Sequence, residues 1–298
     1  MSFDLYFYKK KNNSLSEEKI AQYLTENVAA TDSEFSRQWM YENANTNVYF
    51  TIEWNSPDEE DEEAGENYQD FTNTNFSFSI NYFRPNFFGL ETFPIIYQFI
   101  EDLDLYVYDP QEKEGDTTPR KYTKAELLGS WINSNNHVTK GQHKEYNLEY
   151  MPAEKSNYFW QYQYRKATLE NEITEDIYIP NLFIIKETSS GMLHTGCAWT
   201  KHVPLVLPKV DIVIIQKKYK KLFSNVEETG IISYDTVISE LGAYFEPLQD
   251  EVPDLKILTQ ASADKLASKF NQLKIHQTIP EFGTGVAKDG FVNIPRDI

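Results

Sequence analysis

Alternation with a period of two opens the chain. Phe3, Leu5 and Phe7 are separated by Asp4, Tyr6 and Tyr8, the pattern of a strand with one buried face. The segment "SLSEEKIAQYLTENV" then changes to helical spacing. Ile20, Tyr23, Leu24 and Val28 form its apolar stripe, and Ser14 and Glu17 stand at capping-box distance. "RQWMYEN" and "NVYFTIEWN" read as a hairpin across a short Asn-rich turn, with Val48, Phe50, Ile52 and Trp54 on one face. "FSFSINYF" alternates again, with Phe76, Phe78, Ile80 and Tyr82 in phase. A second helix is predicted over "TFPIIYQFIEDLD", with Pro94 in its first turn, and "LYVYDP" supplies a final strand. The order strand, helix, three strands, helix, strand predicts an α+β sandwich, ferredoxin-like with one strand added, over residues 1–110.

A polar stretch over 111–122 reads as a linker, and 123–298 as a second, mixed α+β domain packed on the first. It begins with a short helix, "TKAELLGSWIN", capped by Thr123 and Glu126. Strands are predicted at "YFWQYQYRKA", "IYIPNLFIIKE", "MLHTGCAWT" and "VDIVIIQKK". The second contains Pro180, which places it at an edge or bulge. Two helices follow, one from Ser233 and one from Ser262, with "LKILTQ" as a short strand between them. The tail from Pro280 is predicted irregular.

Charge changes this picture more than composition does. Hydrophobic residues make up 40% of the 298, enough for a folded core, but the net charge is -18. Eight carboxylates fall between Ser56 and Asp70 with no lysine or arginine among them, and the rest of the chain is acidic as well. Such a field repels phosphate backbones and anionic lipid and attracts basic proteins, so neither nucleic acid nor a membrane is an expected partner. The run joins two strands as an overlong loop. It is either a solubilising excursion or a grip on a basic partner, in which Asp58, Glu59, Glu60, Asp61, Glu62 and Glu63 steer association.

The second candidate surface is the sheet face opposite the helix stripes, which would carry Tyr6, Tyr8, Tyr49 and Tyr106 beside Ser77, Ser79 and Tyr108. Tyrosine suits an interface because a large apolar ring carries a polar tip. The competing expectation is that the second half of the chain covers this face. Stacking of single-stranded RNA on it is disfavoured, because no basic footprint accompanies the rings.

"HTGCAWTKH" places His194, Cys197 and His202 close together, but strand parity sends Cys197 to one face and His194 to the other. A buried structural thiol is expected there, with no metal and no cofactor. A single cysteine also excludes an internal disulfide and suits a reducing compartment. The amino terminus puts its lysines after a short alternating segment, the reverse of an export signal, and no apolar run reaches membrane-spanning length. A cytoplasmic protein is expected. No phosphate-binding glycine loop, zinc-protease helix or nucleophile elbow is present, so no catalytic residue is assigned.

The opening strand Asp4 to Phe7, the proline-interrupted apolar segment Pro180 to Ile185 and the strand at Leu207 to Val213 together resemble bacterial cytoplasmic immunity proteins encoded beside polymorphic or contact-dependent toxins. The resemblance implies a non-enzymatic protein that binds and silences a cognate, basic toxin by occlusion. Two alternatives from other classes stand beside it. One is an enzyme of unrecognised type, with a site around Cys197 or at the junction of the halves. The other is an acidic scaffold or adaptor.

Overall fold

The structure is a computed structural model that describes residues 1–29, 37–56, 68–112, 118–173, 175–221 and 224–295. The chain divides into two compact units, residues 1–148 with 291–298, and residues 149–290.

In the first unit, β1 (Ser2–Lys10), α1 (Glu17–Asn27), β2 (Gln38–Asn43), β3 (Val48–Trp54), β4 (Phe71–Asn81), α2 (Phe87–Asp102) and β5 (Tyr106–Tyr108) follow in the predicted order. The five strands form one sheet, β2-β3-β4-β1-β5, in which every neighbouring pair is antiparallel. With β2 set aside as an added edge, this is the ferredoxin-like strand order.

Period two produces the core directly. Phe3, Leu5, Phe7, Val48, Phe50, Ile52, Phe76, Phe78 and Ile80 are all buried, on the inner face. Phe3 meets Phe93 of α2 edge to face at 6.2 Å, and Phe7 meets Phe99 in the same way at 5.1 Å. On α1, Ile20 and Leu24 are buried, and Trp39 Nε1 donates to Thr25 Oγ1 at 2.9 Å.

Two boundaries differ from expectation. The α1 cap is Ser16, which accepts from Lys19 N, rather than Ser14. Helix α2 begins at Phe87, so Pro94 lies in its interior, not its first turn. An interior proline costs about 3 kcal/mol by loss of a hydrogen bond and a ring clash. Burial offsets this, because α2 is apolar on most sides and Phe87, Phe88, Phe93, Ile96, Phe99 and Ile100 are all inaccessible to solvent.

Its second buried side faces α3 (Lys124–Tyr146), which has the predicted Thr123–Glu126 capping box but runs for 23 residues rather than a short stretch. Trp131 of α3 seats where Gly89 of α2 leaves room. A Cβ at Gly89 would lie 2.7 Å from the indole. This contact places α3 in the first unit, so the boundary between units falls after residue 148 and not at the polar stretch 111–122. Phe291 also belongs here, with its ring 6.2 Å from that of Phe87.

The second unit opens with the two-residue strand β6 (Glu149–Tyr150) and then α4 (Ala153–Glu172). Helix α4 contains "YFWQYQYRKA", which was expected to be a strand. The buried positions are Ser156, Phe159, Tyr162, Gln163, Lys166 and Leu169, a spacing of three and four that outweighs the coincidental alternation of aromatics.

The strands are β7 (Phe183–Glu187), β8 (Leu193–Thr200), β9 (Leu205–Leu207), β10 (Ile212–Lys221) and β11 (Ser224–Ser233), followed by α5 (Tyr234–Leu241), β12 (Glu246–Pro247), β13 (Lys256–Leu258), α6 (Gln260–Phe270), α7 (Ile279–Phe282) and β14 (Gly283–Val286). The sheet order is β11-β10-β8-β7-β14, with β8 and β10 parallel, and β12-β13-β9 form a small antiparallel sheet. The cap of α6 is Thr259, ahead of the expected Ser262. The tail beyond Pro280 is not irregular, since β14 pairs with β7 and completes the larger sheet.

Candidate functional site

The outer face of the first sheet gathers a group of half-buried and buried tyrosines at one end. Tyr6 and Tyr8 flank a register shift in the β1–β4 ladder: Tyr6 lies opposite Ser77, but Tyr8 lies opposite Asn73. The extra residues on β4 form a bulge. Thr74 Oγ1 donates to Phe7 O at 2.7 Å, and Asn75 takes a left-handed backbone at φ 61°, a conformation asparagine tolerates better than most residues.

Across β1 from this bulge, Tyr6 pairs with Tyr108 and Tyr8 with Tyr106. Tyr6 and Tyr108 rings stand 6.2 Å apart, Tyr108 and Tyr68 6.3 Å, and Tyr68 closes edge-on over Tyr8 at 5.3 Å. The result is a connected cluster in which Tyr6, Tyr68 and Tyr108 keep part of their surface in solvent while Tyr8 is 1% exposed.

The four tyrosines singled out from sequence therefore have different positions. Tyr6 is at the accessible edge of the cluster. Tyr8 is its buried floor and offers no surface to a partner. Tyr106 is committed within the unit, against Phe71 at 4.9 Å with the ammonium groups of Lys10 and Lys121 5.1 and 4.8 Å from its ring. Tyr49 lies away from the cluster, near the opposite end of β4. Its hydroxyl accepts from Arg84 Nη2 at 2.7 Å and Asn81 Nδ2 at 2.9 Å, and its ring meets Phe88. Tyr68 was not foreseen. Its one sequence signal is an aromatic residue inside an otherwise polar, acidic stretch.

Asp58, Glu59, Glu60, Asp61, Glu62 and Glu63 lie outside the described residues. The described residues on either side fix where the run attaches. Asn55 N donates to Asn75 O at 2.8 Å, and Lys11 N donates to Asp70 O at 3.1 Å. Both anchors are at the end of the sheet that carries the bulge, and Tyr68, just inside the second anchor, lies on the tyrosine cluster.

His194, Cys197 and His202 in the second unit have separate surroundings. Cys197 is fully buried on β8, and burial pushes its thiol up to about 12. His194 Nε2 lies 3.3 Å from Glu187 Oε2, and His202 is in a left-handed turn at φ 68°, 3.8 Å from Asp264. Among the described residues, no three His, Cys, Asp or Glu side chains stand where they could hold a metal ion, and no helix is long and apolar enough to cross a membrane. The chain matches no family model, no curated protein and no solved structure.

Proposed function

We propose that the chain is an acidic binding protein that occludes a basic partner protein, acting in the cytoplasm as the immunity partner of a bacterial toxin. The observation that carries this reading is the coincidence at one sheet end of a partly exposed tyrosine cluster and both attachment points of a segment with eight carboxylates. The two features do different physical work. Carboxylates in a -18 field accelerate encounter with a cation-rich surface, and aromatic rings that lose water on contact hold the complex.

The test uses the purified chain and the protein encoded beside its gene, with association and dissociation followed by surface plasmon resonance at several salt concentrations. Tyr68→Ala and Tyr108→Ala are expected to speed dissociation about tenfold or more while leaving association unchanged. Replacement of Glu59, Glu60, Glu62 and Glu63 by Gln is expected to slow association and flatten its salt dependence, with folding stability unaltered. Absence of binding to the neighbour-encoded protein, or unaltered kinetics in both sets of variants, overturns the proposal.

A further inference from the structure

A cavity of about 560 Å³ opens in the second unit beside the first turns of α4, bounded by β8, the segment leading into β10, and Asp254. Its floor is built in. Lys155 Nζ stands 2.6 Å from Asp211 Oδ2 and donates to Leu193 O at 2.9 Å, and the same carboxylate oxygen accepts from Thr195 N and Oγ1 at 2.6 and 2.9 Å.

The rim is more open. Lys209 Nζ and Asp254 Oδ2 are 3.3 Å apart with side chains 62% and 60% exposed, a solvent-screened pairing weak enough to be exchanged for a ligand. Lys209 N donates to the Tyr158 hydroxyl oxygen at 2.9 Å, which leaves the phenol proton free to donate. Burial raises the Tyr158 phenol, so that proton is retained at neutral pH. Beside it, the Oδ1 of Asn157 is buried without a hydrogen-bond partner. Asn157 lines the cavity, and rotation about its broad amide torsion would bring this oxygen to the wall. Pro152, Val210 and Pro253 supply apolar wall.

We propose that this cavity binds a small zwitterion, a free α-amino acid with an apolar side chain. Its carboxylate accepts from the Tyr158 hydroxyl and the Lys209 ammonium. Its ammonium donates to Asn157 Oδ1 and to Asp254, and its side chain lies on the prolines and Val210. A simple anion would face Glu154, Asp211 and Asp254, and a simple cation would face Lys155 and Lys209, whereas a ligand carrying both charges close together satisfies each side. The proposal is independent of the tyrosine cluster, and neither experiment decides the other.

Isothermal titration of the full chain with leucine and with phenylalanine tests it. Each amino acid is compared with its N-acetyl and carboxamide derivatives, and inorganic phosphate and glucose are titrated separately. The expected result is saturable binding of at least one free amino acid, weakened about tenfold or more by either blocking group, because each block removes a charge-assisted hydrogen bond. Lys209→Met and Asp254→Asn, both at exposed positions, are expected to weaken binding about tenfold while leaving the thermal midpoint of the unliganded protein unchanged. No heat from either amino acid up to about 10 mM, blocked derivatives that bind as well as the parents, or phosphate or glucose binding in their place overturns the proposal.

Discussion

Because the chain has one cysteine, thiol chemistry reads a single site. Cys197 is 0% exposed, and its thiol is pushed from an ordinary 9.0 up to about 12 by burial alone. At pH 8 the reactive thiolate is then about one part in ten thousand, against about one in ten for an ordinary thiol. Ionisation alone therefore slows attack about a thousandfold. Steric closure adds to this, so labelling by a disulfide reagent must wait for the chain to open.

The same displacement couples stability to pH. Above pH 9 the unfolded chain gives up the thiol proton and the folded chain keeps it. Stability is therefore complete below that pH and falls as pH rises towards 12, by about 1.4 kcal/mol per unit from this group. Buried tyrosines with raised phenols, among them Tyr82 and Tyr234 at about 12, contribute a fall of the same sign, so the comparison that isolates the cysteine is wild type against Cys197→Ala. The assay is labelling kinetics in increasing urea at pH 8, together with urea midpoints of both proteins between pH 8 and 10.5. Labelling should track unfolding, and the gap between the two proteins should narrow as pH rises. Rapid labelling of native protein without denaturant would refute the reasoning and revive Cys197 as a nucleophile.

Two further outcomes test the fold. Glu91, 4% exposed on α2, accepts from Tyr41 OH at 2.9 Å, Asn43 Nδ2 at 2.8 Å and Thr46 Oγ1 at 3.2 Å, tying the β2–β3 turn to the helix. Glu91→Ala removes the one buried oxygen, Oε1, that Tyr41, Asn43 and Thr46 share and should cost about 2–4 kcal/mol in urea unfolding, with Glu91→Gln, whose amide oxygen can take that place without the charge, losing about half as much. A Cβ at Gly283 would lie 2.0 Å from the backbone oxygen of Lys186, so Gly283→Ala should push β14 from β7, cost about 1–3 kcal/mol and expose the Thr188 amide, now 2.9 Å from Phe282 O, to hydrogen exchange. Unchanged protection at Thr188 would contradict the pairing.

How much was legible in advance follows the range of the forces involved. In residues 1–110, alternation at Phe3, Leu5 and Phe7 and again at Phe76, Phe78 and Ile80 records which face of the sheet is dry. The strands, their order and the inner core could be read from a few neighbouring residues at a time. Caps such as Thr123 and Ser233 are equally local, because each satisfies amides within its own turn.

Long-range packing decided the rest. Alternating aromatics in "YFWQYQYRKA" suit either a strand or a helix, and only the partners around Phe159, Tyr162 and Leu169 selected α4. Pro94 was accommodated because burial around α2 outweighs its local cost, and the tail became β14 because β7 left an edge to pair. The candidate site divides in the same way. The sequence by itself placed tyrosines on one sheet face and acid in one loop, since parity and charge are properties of single positions. The tertiary structure alone decided that Tyr68 closes over a buried Tyr8, that Lys10 and Lys121 stand against Tyr106, and that Tyr6, Tyr68 and Tyr108 keep part of their surface in solvent. Which ring is covered depends on residues far away in the chain, and no short-range pattern records that.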